Sequence, residues 1–172
     1  LLFSVARYAE VVEAFLQGLE QRAAMQLSID HLYSVASFFV SRVDTKLDPQ
    51  LDALKPARPE AAALRGTIAI ANAAQAYALF QQTLASPRWQ ALAARGARPQ
   101  RPLWASTSVK DPAYPDTMYV EQLIAEQTVN TLPPETFTAY RDHGHPTVRI
   151  DDEVTAAPAR LAALGALGID LR

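Results

Sequence analysis

The stretch Ser34-Val-Ala-Ser-Phe-Phe-Val-Ser-Arg-Val-Asp44 decides how this chain is read. It opens as an apolar run of β-branched and aromatic residues, the composition of a buried strand. It closes on Ser41, Arg42 and Asp44, three polar groups delivered together. A strand that is apolar along its length and polar at its C-terminal end fits parallel α/β architecture, where ligands sit beyond the strand ends. The hydroxyls of Ser37 and Ser41 and the fixed cation of Arg42 suit a hydroxylated, phosphorylated ligand.

Outward from that strand, strand-like and helical stretches alternate. Four short runs, residues 1–4, 33–42, 102–106 and 128–132, read as strands. Between the first two, Tyr8, Val11, Val12, Phe15 and Leu19 recur at helical spacing, with Arg7, Glu10, Glu13 and Gln17 opposite. A short polar helix is expected over 44–54, and a long Ala-rich helix over 59–84 with Ile70, Ala73, Tyr77, Phe80 and Leu84 as its buried stripe. Ser86-Pro87 reads as an N-cap with Pro in the first helical position, opening a brief helix through Ala94. Further short helices are expected at 116–124 and 135–142. Asp151, Asp152 and Glu153 then occupy the first turn of a last helix, where acid complements the dipole. The alternation predicts an α/β fold with parallel strands. A (β/α)8 barrel takes about 250 residues, so four strands in 172 residues amount to half of one. Residues 1–4 begin without Met and read as the tail of a strand already under way, so the expectation is a piece of an enzyme, a single partial domain over 1–172.

Composition narrows the function. A hydrophobic share of 49% with 20% charged residues is ordinary for a globular domain with a real core. The net charge of -2 argues against nucleic-acid binding, which demands a basic surface. With Cys 0 there is no thiol nucleophile, no disulfide and no zinc–cysteine site. No apolar run approaches the roughly 20 residues of a membrane span, and no signal segment opens the chain. The expected location is the cytoplasm.

Polar residues gather after three of the four strands: Ser37, Ser41, Arg42 and Asp44; then Ser106, Thr107, Ser108 and Lys110; then Asn130 and Thr131. Any one of them alone is more simply an ordinary strand-to-loop residue. Their recurrence on successive strands points to a site. The motifs SVASFFVSRVD (34–44), LWASTSVKD (103–111) and TVNTLP (128–133), in this order and spacing, resemble transaldolase, and Ala69-Ile-Ala-Asn72 and Arg88-Trp-Gln90 resemble its bacterial branch. The resemblance covers essentially the whole chain. It implies a (β/α)8 barrel of the class I aldolase type, with only strands five through eight and their helices present. The implied activity is transfer of a dihydroxyacetone unit from a ketose phosphate to an aldose phosphate in the pentose phosphate pathway, through a Schiff base and without metal or organic cofactor.

The resemblance further implies that the Schiff-base lysine and the acid–base carboxylates lie upstream of Leu1, leaving no catalytic residue in this chain. What carries over is a substrate-binding wall. Ser37 matches a substrate-hydroxyl contact, Phe39 an aromatic lining, and Arg42 and Ser106 phosphate-binding positions. Lys110 stands in for a basic residue found closer to that serine elsewhere in the family, and Ser108 occupies a position where relatives commonly carry Gly. Lys110 is not the expected Schiff-base lysine: such an amine needs a desolvated or cation-rich pocket, whereas Asp111 adjoins Lys110 and favours its protonated form.

The other candidates are weaker. His143-Gly-His145 is better read as a solvated loop than as a metal pair, and Asp151–Glu153 as helix capping. Tyr114 and Tyr119 either line a sugar site or pack a loop against the rim, while Trp89 and Trp104 are expected in the packing. Partners are expected to be sugar phosphates, with no nucleic acid and no membrane. The competing expectation is a non-catalytic half-barrel that binds phosphate or self-associates, as a homodimer for example, through its exposed sheet edges. A phosphosugar-binding barrel of another reaction class is the third.

Overall fold

The structure, a computed structural model, describes residues 1–171. Strand β1 (Ser34–Phe39) pairs in parallel with β2 (Gln100–Ala105), which pairs in parallel with the two-residue β3 (Val129–Asn130), in the order β1-β2-β3. The first expected strand is reduced to one parallel bridge on the free side of β1, between Leu2 and Phe38. There Leu2 N–H donates to the Ser37 carbonyl at 3.0 Å and Phe39 N–H donates to that of Leu2 at 2.8 Å. Three strands and a bridge replace the four strands expected.

The helices in chain order are α1 (Val5–Ala24), α2 (Ser41–Leu54), α3 (Ile68–Ala85), α4 (Pro87–Ala93), α5 (Met118–Gln122), α6 (Pro134–His143) and α7 (Ile150–Ala166). Two differ from expectation in an informative way. The 59–84 helix is split: a 3-10 turn, Pro59–Leu64, precedes α3, and Gly66 lies between them at φ +69. That left-handed backbone ends one element and re-aims the next, and glycine adopts it without penalty. The 44–54 helix starts three residues earlier, at Ser41, with Val40 already turned into the right-handed region. Elsewhere the local rules hold. Ser86 caps α4 by accepting the Trp89 N–H at 3.2 Å, with Pro87 in the first position.

Strand alternation gives the sheet two distinct faces. Ala36, Phe38 and Val40 are buried under the helices, whereas Val35, Ser37 and Phe39 point to the other, more open face. Phe38 sits opposite Trp104 in the strand register, and Tyr8, Phe38 and Trp104 stack edge to face with centroids 6.3 and 6.2 Å apart. This main core takes in Leu47, Leu51, Ile68, Tyr77 and Phe80. A smaller one, built from Leu16, Leu19, Ala23, Ile29, Trp89 and Leu92, joins α1 to α4. Above it Arg88 bridges Glu13 and Glu20 of α1 at 2.6 Å each. The most extensive helix–helix contact is between α3 and α7, where Ala71, Ala74 and Ala157 meet fully buried.

Candidate functional site at the C-terminal ends of the strands

At the end of β1 the chain is fastened to its neighbour. Val40 N–H donates to the Ala105 carbonyl and Ser41 N–H to that of Ser106, both at 3.0 Å. The hydroxyls of Ser41 and Ser106 are 2.9 Å apart in a further hydrogen bond. These bonds force the turn at Val40, so Arg42, expected at a strand end, stands instead in the first turn of α2. Ser106 has φ +58, a left-handed conformation that an L-residue takes at a cost of about 1–2 kcal/mol. The cross-strand bonds to Ser41 hold it there.

Three of the expected site residues, Ser37, Phe39 and Arg42, neighbour one another here. Ser37 and Phe39 share the open face of β1, and the Arg42 guanidinium lies 5.0 Å from the centre of the Phe39 ring. The Phe3 ring meets that of Phe39 at a tilt, with centroids 5.2 Å apart. Ser106 is bonded to Ser41, the residue before Arg42. Arg42 also borders an open cleft of about 540 Å³ with Phe3, Lys46, Gln50 and residues 168–171. Lys110 is placed apart. Its amine donates to the Ser108 hydroxyl at 2.5 Å and borders a different cleft, of about 280 Å³. Asp111, read from sequence as the partner of Lys110, pairs instead with Arg65 at 2.6 Å.

The smaller cleft holds a network that sequence reading missed. Asp44 and Asp48, one turn apart on α2, are both buried. Asp44 accepts the Ala69 N–H at 2.8 Å and the Tyr119 hydroxyl at 2.9 Å. Asp48 accepts the Gly66 N–H at 3.1 Å and the Tyr114 hydroxyl at 2.6 Å. Asp44 thus caps α3 from another element, supplying the acceptor that Thr67, at the N-cap, does not. Tyr114 packs so closely over Gly66 that a Cβ there would meet its ring at 2.7 Å. Arg65, between the two helices, also reaches Asp52 at 3.1 Å.

Burial pushes the Asp44 carboxyl up to about 6, against the pull of its two donors. Burial, and then the adjacent Asp44 carboxylate, push the Tyr119 hydroxyl well above the usual phenol range. Asp111 is held below the usual carboxylate range by the Ala113 N–H and by Arg65. The signal available in sequence was the four-residue spacing of Asp44 and Asp48, which puts both on one helix face. Tyr114 and Tyr119 were singled out as lining or packing residues. Both border the cleft, and their hydroxyls reach back to α2.

The remaining polar candidates serve the scaffold. Thr107 donates to Asn130 at 2.8 Å and Thr131 to the Trp104 carbonyl at 3.1 Å, tying the β2 and β3 ends together. His143 is exposed and hydrogen-bonds Asp116 at 2.9 Å and Asp142 at 3.2 Å. Among the described residues no cluster of three or more His, Asp or Glu side chains is arranged to hold a metal. Among the described residues no helix is long and apolar enough to cross a membrane.

Comparison with known proteins accounts for the whole chain. The transaldolase/fructose-6-phosphate aldolase family model matches residues 1–172. A transaldolase of Frankia alni is 51% identical over 176 residues, covering 99% of this chain and 46% of the relative. A transaldolase of Parafrankia is 52% identical and one of Thermobifida fusca 51%, each over 172 residues with the same coverage. The chain therefore spans a little under half the length of these curated relatives. A parallel sheet with helices between its strands, polar strand ends meeting at Ser41 and Ser106, and a family match from residue 1 to residue 172 lead to one assignment: the chain belongs to the transaldolase/fructose-6-phosphate aldolase family.

Proposed function

We propose that this chain forms the phosphate- and hydroxyl-binding wall of a transaldolase active site. The rest of that site, in a (β/α)8 barrel, would come from strands beyond those described, including the Schiff-base lysine and its acid–base partners. The observation that carries this reading is the Ser41–Ser106 hydrogen bond. It sets the first turn of α2, with Arg42, directly against the end of β2. A guanidinium and a serine hydroxyl delivered at neighbouring parallel strand ends suit a phosphate dianion. Phe39, against the Arg42 guanidinium, restricts its swing. Ser37, two residues earlier on the same face, is in line to meet a sugar hydroxyl of a ligand anchored by its phosphate.

In such a site this chain's residues bind and orient. The phosphate end of a ketose phosphate is held by Arg42 and Ser106, and that remote binding energy aligns the carbonyl carbon with the lysine amine. Retro-aldol cleavage then releases an aldose phosphate, and the enamine of the dihydroxyacetone unit is captured by an acceptor aldehyde. These steps belong to the non-oxidative pentose phosphate pathway and need no metal or organic cofactor.

Arg42→Ala in the full-length polypeptide is expected to lower kcat/KM for phosphorylated substrates by about 5- to 150-fold, the worth of a charge-assisted hydrogen bond of roughly 1–3 kcal/mol. An unchanged kcat/KM would sink the assignment. A second reading, a half-barrel that binds phosphate or associates with a further chain, is favoured by the exposure of Leu1, Phe3 and Val35 near the free edge of β1. Borohydride trapping with a ketose phosphate bears on both readings. The 172-residue chain alone should take up no label, and the full-length polypeptide should take it up on a lysine outside this chain. Label on Lys110 would overturn the proposed division of the site.

A further inference from the structure

The segment after β2 is tied to α2 and the turn behind it at successive points. Ser106 is bonded to Ser41, Asp111 to Arg65, Tyr114 to Asp48 and Tyr119 to Asp44. Between the first and last of these ties lie Thr107, Ser108 and Lys110. Arg42 stands in the same first turn of α2 as Asp44, on the opposite, exposed side of the helix. The two tyrosine ties end on carboxylates with no cation in ion-pair range among the described residues. Burying two carboxylates against neutral donors alone is costly. Capping α3 would need only a Ser, Thr or Asn. A carboxylate adds the ability to hold two donors at once in short, directional bonds. Each aspartate uses one oxygen on the backbone before or within α3 and the other on a tyrosine of the post-β2 segment.

We propose that Asp44 and Asp48, each clasped by a tyrosine hydroxyl, are positioning residues that hold the first turn of α2, and with it Arg42, in register with Ser106 for phosphate binding. This rests on the phosphate-wall reading above. The arrangement works by geometry alone. Asp44 lies two residues after Arg42, so a shift of Asp44 on loss of its Tyr119 bond turns the helix end that carries the guanidinium. The Tyr114 bond to Asp48 restrains the same helix one turn further along. Neither tyrosine touches the ligand in this arrangement. Their removal alters where the phosphate contacts sit, not the chemistry at the carbonyl.

The test uses the full-length polypeptide, with fructose 6-phosphate and unphosphorylated fructose as donors and inorganic phosphate as competitor. Tyr119→Phe should raise KM for fructose 6-phosphate and Ki for inorganic phosphate by about fivefold, one hydrogen bond's worth, with kcat held within about twofold. KM for fructose should not move. Should Tyr119→Phe fail to fold, Tyr114→Phe, at the half-buried rim, carries the same expectation. Unchanged KM and Ki, an equal shift for both donors, or a fall confined to kcat would each overturn the proposal. Arg42→Ala in the same assays separates the two levels of argument. If it weakens phosphate while the tyrosine variant does not, only the positioning role fails. If it leaves phosphate binding untouched, the phosphate wall fails as well.

Discussion

Replacing Trp104 with alanine is expected to destabilise the fold by about 3–5 kcal/mol, the range for removing a large aromatic from a packed interior. Trp104 is the largest fully buried side chain and lies in the central strand of the sheet. Its ring meets Phe38 edge to face at 6.2 Å, and its indole N–H donates to the Leu123 carbonyl at 3.1 Å. Truncation therefore opens a void between sheet and helices and strips a buried carbonyl of its donor, two penalties that add. Urea denaturation followed by far-UV circular dichroism measures the loss. Trp104→Phe separates the two penalties, because it restores most of the volume but not the donor. A loss below about 1 kcal/mol for the alanine variant would show that the sheet is not sealed at this point.

The second large effect is one of pH. Asp44 has a folded-state value of about 6 against an ordinary 3.8. Its protonated form is thus favoured by folding, and the associated stability is fully present below 3.8 and lost as pH rises through 6. The gap is worth about 3 kcal/mol. Asp44→Asn does not titrate, and the asparagine oxygen still accepts the Ala69 N–H while its amide faces the Tyr119 oxygen. The stability difference between Asp44→Asn and the parent should therefore move in favour of asparagine by about 3 kcal/mol between pH 3 and pH 7.5. Urea denaturation across that range checks it, and a flat difference would refute it. The comparison must be between variants. Glu13, Glu20, Asp52 and Asp111 all have lowered values and give the parent an opposite slope, stabilising it above their unfolded values. Facing Asp44 are Tyr119 and Asp48, with Tyr114 beyond, and the negative charge of Asp48 contributes to the upward push.

How far the sequence led depended on whether the governing interactions were local. The middles of β1 and β2, the amphipathic face of α1, the Ser86 cap and the acidic first turn of α7 follow from neighbouring residues, and the structure has them where they were expected. The start of α2 does not. Val40 turns because its N–H and that of Ser41 are claimed by Ala105 and Ser106, far along the chain, and no local preference encodes that. Gly66 was a local signal, but an isolated glycine in an Ala-rich stretch is easily passed over as tolerated within a helix. For the site, Ser37, Phe39, Arg42 and Ser106 were named through motif resemblance; Arg42 lies over Phe39, and Ser106 is bonded to Ser41, the residue before Arg42. Lys110 was grouped with them as a stand-in for a basic residue that relatives place closer to Ser106, and it borders the neighbouring cleft. Asp48 and Arg65 escaped notice because surface carboxylates and guanidinia are common. What distinguishes these two is burial under a tyrosine in one case and a bridge between α2 and the loop after β2 in the other.

The meeting of α3 and α7 through Ala71, Ala74 and Ala157 has a mechanical consequence. An alanine methyl has no rotamers, so it surrenders no side-chain entropy on burial and has no alternative pose to adopt under load. A contact built from longer side chains absorbs a displacement by flipping torsions. One built from methyl groups passes it on. Since the N-terminal end of α3 is pinned by Asp44, this close contact couples the position of α7, through α3, to that of α2.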